Sequence, residues 1–449
     1  MKAEDKIEIF EKKPISSAVI KLAVPTVISS LVTVIYSLVD TYFVGFMNDP
    51  IETAAVTLAA PVLLAFNAVN NLFGVGASSL ISRSMGLKDY DKVKKASAFG
   101  FYCALIASIL FSLACFFFRT GLLQLLGADS STEGTTWGYM LWAVCLGAPP
   151  SILSVVMAYI IRSEGSSLHA SIGTMSGCIL NMVLDPVFIL GFHMGAAGAG
   201  IATMISNYVA CVYFLIFMFV RRKNTFLSIH PKDFQFTLPM VKDVCMVGIP
   251  AAIQNLLNVT GMTILNNFAA PYGADAVSAI GISHKIAMVP LNTALGFSTG
   301  VMPLIGYNYS NKNYRRMKES ITYSFKLMLP IMVLISVLLF VFSTPVVHLF
   351  MEDESVVAYA STFLKEACIG LPLFLVDFMA VQVYQALGKG QYAFAFAITR
   401  KIILEIPAII LLNRIFPLYG IAFAQSFSEI CLGCVGIVCL CRLFRKYKD

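Results

Sequence analysis

The sequence predicts an all-α polytopic membrane protein, with twelve transmembrane helices in two pseudo-symmetric six-helix bundles related as a parallel repeat. Three observations lead there. Of 449 residues, 58% are hydrophobic and only 13% charged, about half the charge of a soluble domain, and mean hydropathy is +0.79. Twelve apolar segments follow one another, each long enough for the ~20 residues that cross a bilayer. The chain also repeats itself once, half against half. Such a composition excludes a cytosolic enzyme, a disordered chain and a secreted disulfide scaffold.

Taken in order, the apolar segments are 18–46, 53–82, 92–118, 135–161, 168–192, 196–220, 240–270, 275–308, 314–343, 355–386, 391–413 and 418–441. The preceding stretch, MKAEDKIEIFEKKP, is mixed-charge and amphipathic. It lacks the apolar core and small-residue cleavage site of a signal peptide, so the first apolar run is expected to stay as a helix. Pro25, Pro61, Pro186, Pro250, Pro290, Pro303, Pro372 and Pro407 fall inside the segments. They predict kinks whose freed carbonyls find partners within the protein. Lys and Arg set the orientation. With Arg162 assigned to the fourth loop, 25 of the 32 lie in the termini and in the even-numbered loops, including Lys389. That excess predicts that both termini are cytoplasmic. Read this way, the net charge of +7 belongs to the membrane surface and no nucleic-acid partner is expected. The eleven Cys lie mostly in apolar runs and form no disulfide framework.

The repeat has clear anchors. Pro25 corresponds to Pro250, Gly76 to Gly300, Gly147 to Gly370 and Gly198 to Gly420, with the offset falling from 225 to 222. Six spans per half is an even number, so both halves enter the membrane from one side, as in a parallel repeat. The basic linker near 221–239 then divides the chain into an N-lobe, 1–232 with helices 1–6, and a C-lobe, 233–449 with helices 7–12. Two such lobes facing across a cleft are the architecture of an alternating-access transporter.

An Asp at mid-membrane costs about 2.5–3.5 kcal/mol on insertion scales, which makes Asp40, Asp185 and Asp377 the informative positions. Asp40 lies in the outer half of helix 1 and Asp185 in the outer part of helix 5. Asn181 is one turn before Asp185 on the same face. Thr203 lies in the outer half of helix 6. Asp40, Asn181, Asp185 and Thr203 are thus expected at one level, as a hard-cation site or as a carboxyl pair that holds a proton. The other reading is that each Asp caps a kink or bonds a neighbouring helix. The second half lacks this set: Leu265 stands opposite Asp40, and Ile406 close to the counterpart of Asp185. Asp377, Gln254, Asn255, Asn258, Tyr36 and Asn67 are the candidates for a substrate cavity, although Asp377 and the amides suit structural hydrogen bonds equally well. Lys401 and Glu405, four apart, predict an ion pair.

Several motifs fail on context. Gly296-Phe297-Ser298-Thr299-Gly300 matches a nucleophile elbow by letter, but that elbow needs a strand-to-helix turn and this run is in an apolar helix. Cys431 and Cys434 lack a second ligand pair at zinc spacing. GAAGAG at 195–200 follows no strand, and no Walker motif is present.

Helix 1 carries P-T-V-I-S-S and V-D-T-Y-F-V-G, and the helix 2–3 junction F-G-V-G-A-S-S-L-I-S-R-S-M-G-L-K-D-Y. Helix 5 carries N-M-V-L-D-P-V-F-I-L-G-F, helix 6 G-A-A-G-A-G-I-A-T-M-I-S-N and helix 10 L-V-D-F-M-A-V-Q-V-Y-Q-A-L-G-K-G. Together these resemble the multidrug and toxic compound extrusion (MATE) transporters of bacteria, over nearly the whole chain. The resemblance implies two six-helix lobes and export of drugs or other amphipathic, often cationic, organic molecules, coupled to inward Na+ or H+ movement. It places the cation at Asp40, Asn181, Asp185 and Thr203, metal ligands if the ion is Na+. Asp377 matches a helix 10 acid of another branch whose helix 7 Glu is absent here. No cofactor beyond the coupling ion is implied. The expected partners are small-molecule substrates and the lipid bilayer, for a monomer in a bacterial cell membrane. The alternative is a flippase for a lipid-linked precursor, which predicts a wide cavity lined with Arg and Lys. An intramembrane enzyme would need a nucleophile–base set that the sequence does not offer.

Overall fold

The computed structural model describes residues 3–47 and 49–447. Lys2 and Lys448 of the charge count lie outside them. The described residues form helices joined by short turns, with no strand among them. Twelve helices correspond to the twelve apolar segments: α1 Ile15–Gly45, α2 Pro50–Gly86, α3 Tyr90–Phe117, α4 Glu133–Leu146 continued by Ala148–Ser163, α5 Ser167–Gly191, α6 Gly195–Val220, α7 Leu238–Tyr272, α8 Ala274–Ser310, α9 Tyr314–Val341, α10 Glu354–Ala386, α11 390–415 and α12 Tyr419–Lys446. Ten are apolar enough to span unaided. α4 qualifies as a single span bent by 44° at Gly147. α11 has the length but carries Arg400, Lys401 and Glu405 at its centre.

Helix starts follow ordinary capping chemistry. Asp49, Asp89, Asn313 and Asp353 each accept a backbone N–H in the first turn of α2, α3, α9 and α10, which satisfies donors that have no partner within the helix. Four spans are interrupted by π-turns, at Asn71–Val75, Leu141–Leu146, Val187–Gly191 and Thr399–Glu405. Such turns re-aim side chains and are frequent at functional sites.

Helix packing carries the pseudo-symmetry. α1 lies along α8, and α7 along α2; the repeat exchanges these two contacts. Both are close. A Cβ at Gly300 of α8 would stand 2.7 Å from the Cα of Ala23, and one at Gly248 of α7 would stand 2.0 Å from the carbonyl oxygen of Leu72. Only glycine permits these approaches.

The halves are tied together at the Lys- and Arg-rich end. There Ser79 Oγ donates to the Gln385 carbonyl at 2.5 Å and Lys92 pairs with Asp243 at 2.9 Å. A short amphipathic helix, Ala3–Glu11, crosses this end. Lys6 pairs with Glu164 of the first half at 2.5 Å. Glu11 accepts from Tyr307 of the second half at 2.7 Å, and Arg316 donates to the carbonyls of Phe10, Ile9 and Lys13.

Candidate functional site

Two regions hold the polar groups that a membrane interior has to explain. The first lies within the N-terminal half, between α1, α4, α5 and α6. Pro186 cannot donate a backbone hydrogen bond and is followed directly by a π-turn. Asp185 precedes it and is fully buried, with Asn181 only 2% exposed one turn earlier. In the orientation that satisfies both ends of its amide, Asn181 donates to Asp185 Oδ2 at 2.7 Å. Its oxygen then accepts from the Thr203 hydroxyl at 3.3 Å and from the Thr203 backbone N–H at 3.1 Å. Asp40 of α1 lies beside Asp185, so that the two carboxyl groups feel each other's charge. The four residues expected at one level are thus in one cluster. Tyr36 and Tyr139 stand beside both carboxyl groups. A cavity of about 150 Å³, lined by Thr33, Tyr36, Asn181, Thr203, Ser206 and Asn207, adjoins it. No group of three or more His, Cys, Asp or Glu gathers as a metal site among the described residues; the cluster has two carboxylates, one amide and one hydroxyl.

The second region is the cleft between the halves. Its floor is a cavity of about 300 Å³ toward the basic end, lined by Thr26, Ser29, Asn71, Tyr159, Arg162, Gln254 and Gln385 among others. It shares Asn255, Asn258, Asn292, Leu295 and Phe378 with a second space of about 530 Å³. That space adds Asn67, Met262, His284, Met288, Phe374, Arg400, Lys401, Glu405 and Glu429. Gln254, Asn255, Asn258 and Asn67 therefore line the cleft.

Two expectations need correction. Tyr36 lines the smaller cavity beside the Asp40–Asp185 cluster and not the cleft. Asp377 lines neither space of the cleft. It is 1% exposed, and Arg400 Nη1 donates to its Oδ2 at 3.3 Å. The structural reading of Asp377 is the one that its packing supports. The expected pair, Lys401 to Glu405, is present at 2.6 Å.

Three contributors escaped the sequence reading. Glu429 of α12 faces Arg400 at 3.9 Å, so the second half has a buried charge cluster of its own. Tyr139 gave no sign in a segment rich in aromatic residues. Arg162, assigned to a loop, ends α4 with its guanidinium in the cleft. Its place at a helix end, where positive-inside residues also sit, hid it. Ser298 is fully buried and donates to the Ala294 carbonyl at 2.8 Å, as an ordinary helix hydroxyl does.

Comparison with known proteins adds to this geometry. The MatE family model matches twice, at residues 25–187 and 250–411. The multidrug export protein MepA of Staphylococcus saprophyticus is 33% identical over 427 residues, 95% of this chain and 93% of its own. MepA of Staphylococcus aureus is 32% identical over 428 residues, with the same coverage. Among solved structures, a MATE crystallised in complex with MaL6 matches with a TM-score of 0.93 at 23% identity, and a MATE family transporter in an outward-facing conformation with 0.91 at 24%. Each covers 98% of both chains. The likeness in structure is one of fold.

Proposed function

This chain belongs to the MatE family of multidrug and toxic compound extrusion transporters, and on that premise we propose that it is a cation-coupled antiporter. It exports drugs or other amphipathic organic molecules, often cationic, from the cytoplasm by alternating access. The observation that carries this reading is the Asp40–Asn181–Asp185–Thr203 cluster. It lies inside one half, and none of its four residues lines the cleft, although the small cavity beside it meets the cleft floor at Thr33, Val155 and Thr174. A transported cation and a substrate therefore have separate places in the molecule. Each biases the lobes only through its difference in affinity between the two states.

The lobes are residues 1–232 and 233–449. The Lys- and Arg-rich end is cytoplasmic, by the positive-inside rule, and both termini lie there. The ties at that end support reading the present arrangement as the outward-open one. In it, a cation enters the Asp40–Asp185 cluster from outside and substrate leaves the cleft. The protein acts as a monomer in a bacterial cell membrane, with Na+ or H+ as coupling ion and no other cofactor. It is a transporter and not an enzyme; buried Ser298 supplies no nucleophile.

The test is ethidium efflux from proteoliposomes holding wild type or Asp40→Asn, under an imposed Na+ gradient and separately under a pH gradient. Export under one gradient, absent in the variant, establishes antiport and names the ion. Equal export by the variant refutes the coupling site.

A further inference from the structure

Arg162 is the one strongly cationic group that lines the floor of the cleft, and among the described residues it has no counter-ion. It is 7% exposed. Its guanidinium carbon stands 5.5 Å from the ring centroid of Tyr159, a stacking that orients the group without neutralising it. No Asp or Glu lines the 300 Å³ floor, and no hydrogen bond from this guanidinium is present among the described residues. Its Nε is buried without a partner. The neighbouring hydroxyls of Thr26, Ser29, Thr33 and Thr174 already donate to carbonyls of their own helices. Arg162 is thus the strongest free donor there. A buried guanidinium in this position needs an acceptor, and a planar fork fits a carboxylate or a similar oxyanion.

The opposite charge lies farther along, where Glu405 and Glu429 line the cleft and Asp377, outside its lining, bonds Arg400. Asp377, Glu405 and Glu429 are each at most 5% exposed, and each keeps one carboxyl oxygen without a partner. Three carboxyl groups share two cations, Arg400 and Lys401. Glu405 and Glu429 face the 530 Å³ space together with Phe374, Phe378, Met262 and Met288. The cleft is therefore polarised, with an anion receptor on its floor and an acidic, aromatic wall beyond.

We propose that Arg162 is the specificity-determining contact on the floor of the cleft that receives the anionic group of amphipathic substrates carrying both charges. The inference rests on the export reading above and goes beyond it by naming a second recognition element.

Rhodamine B and its ethyl ester make the matched probes. They carry the same xanthylium cation, and only the first has a free carboxylate. Binding to the purified full-length chain is read by fluorescence polarisation for wild type, Arg162→Gln and Arg162→Lys. A charge-assisted bond of this kind predicts that Arg162→Gln weakens rhodamine B about tenfold, with the ester changed less than about twofold. Arg162→Lys, which keeps the charge but not the fork, retains part of the rhodamine B affinity. An equal loss for both dyes in folded Arg162→Gln overturns the proposal, as does undiminished binding of rhodamine B. Should Arg162→Gln fail to fold by gel filtration, Arg162→Lys decides: selective weakening of rhodamine B supports the receptor and no selectivity overturns it. Wild type that binds the ester and not rhodamine B sinks this inference and leaves the export reading standing. Wild type that binds neither dye removes both.

Discussion

Asp185 is shut off from bulk solvent. Its carboxyl group is fully buried against Asn181 and Asp40, in a segment where an acid costs several kcal/mol and persists only for a purpose. Asp185→Asn keeps the shape and a contact with Asn181 while removing the titratable group. Gradient-driven ethidium export is expected to fall to background while the purified protein stays monodisperse; export above half the wild-type rate would contradict that. A different loss follows at Lys6, whose pair with Glu164 is 3% and 0% exposed. Lys6→Met leaves Glu164 buried without its cation, which costs about 3–5 kcal/mol. The hydroxyls of Ser166 and Thr225 and the Phe226 N–H still reach that carboxylate, so the lower end of that range is expected. Thermal unfolding in detergent should show a lower Tm for Lys6→Met and partial recovery in the double variant with Glu164→Gln. At this scale the sequence was legible where chemistry was out of place. Acids in apolar runs announced the Asp40–Asp185 cluster, because few other roles fit them. Arg162 was not legible: one turn from a loop, a guanidinium reads as a membrane-surface charge, and only tertiary packing turns it inward.

Among the helices, α11 shows how an element can be read correctly in place and incompletely in content. Its bounds were predicted within a few residues, since apolar runs bounded by turns mark spans well. Its π-turn at Thr399–Glu405 was not foreseen, because a change of helical register leaves no mark in an apolar pattern. That register brings Arg400 to Asp377 and to Asn258 Oδ1, the latter at 2.9 Å. The α1–α8 contact was equally hidden, for Gly300 was visible only as a repeat anchor. Gly300→Leu is expected to push α1 from α8, since its Cβ alone would meet Ala23 at 2.7 Å. The measurement is labelling of a cysteine placed at buried Ser82 by a membrane-impermeant maleimide from the basic side. Labelling should rise several-fold in Gly300→Leu; unchanged protection would show that the interface absorbs the side chain.

For the whole molecule, the even count of spans per half and the sliding offset of the repeat made the two-bundle architecture readable before any coordinates. Which end is closed was not readable. The two states of an alternating-access protein share one sequence and one helix inventory, and differ in contacts worth a few kcal/mol. The ties at the basic end predict that locking them stops the cycle. Cysteines at Lys92 and Asp243, whose side chains meet at 2.9 Å, should cross-link with a short bifunctional reagent. Ethidium export should then stop, and a reducible cross-linker should restore it on reduction. Full export by the cross-linked protein would mean that this end does not open during transport.

The helix Ala3–Glu11 is made before the spans and finds its second-half partners late. Glu11 waits for Tyr307, 296 residues downstream, and the carbonyl of Phe10 waits for Arg316, 306 residues downstream. While the ribosome is still threading spans into the bilayer, this segment has nothing in the second half to hold. Lys6 meets Glu164 of the first half early, but the docking is complete only when nine helices are in place, so this segment seals an assembly whose parts were delivered after it. A truncated product that stops before α8 keeps this helix unmoored from that half and within reach of proteases at the basic end, whereas the finished chain holds it from both halves.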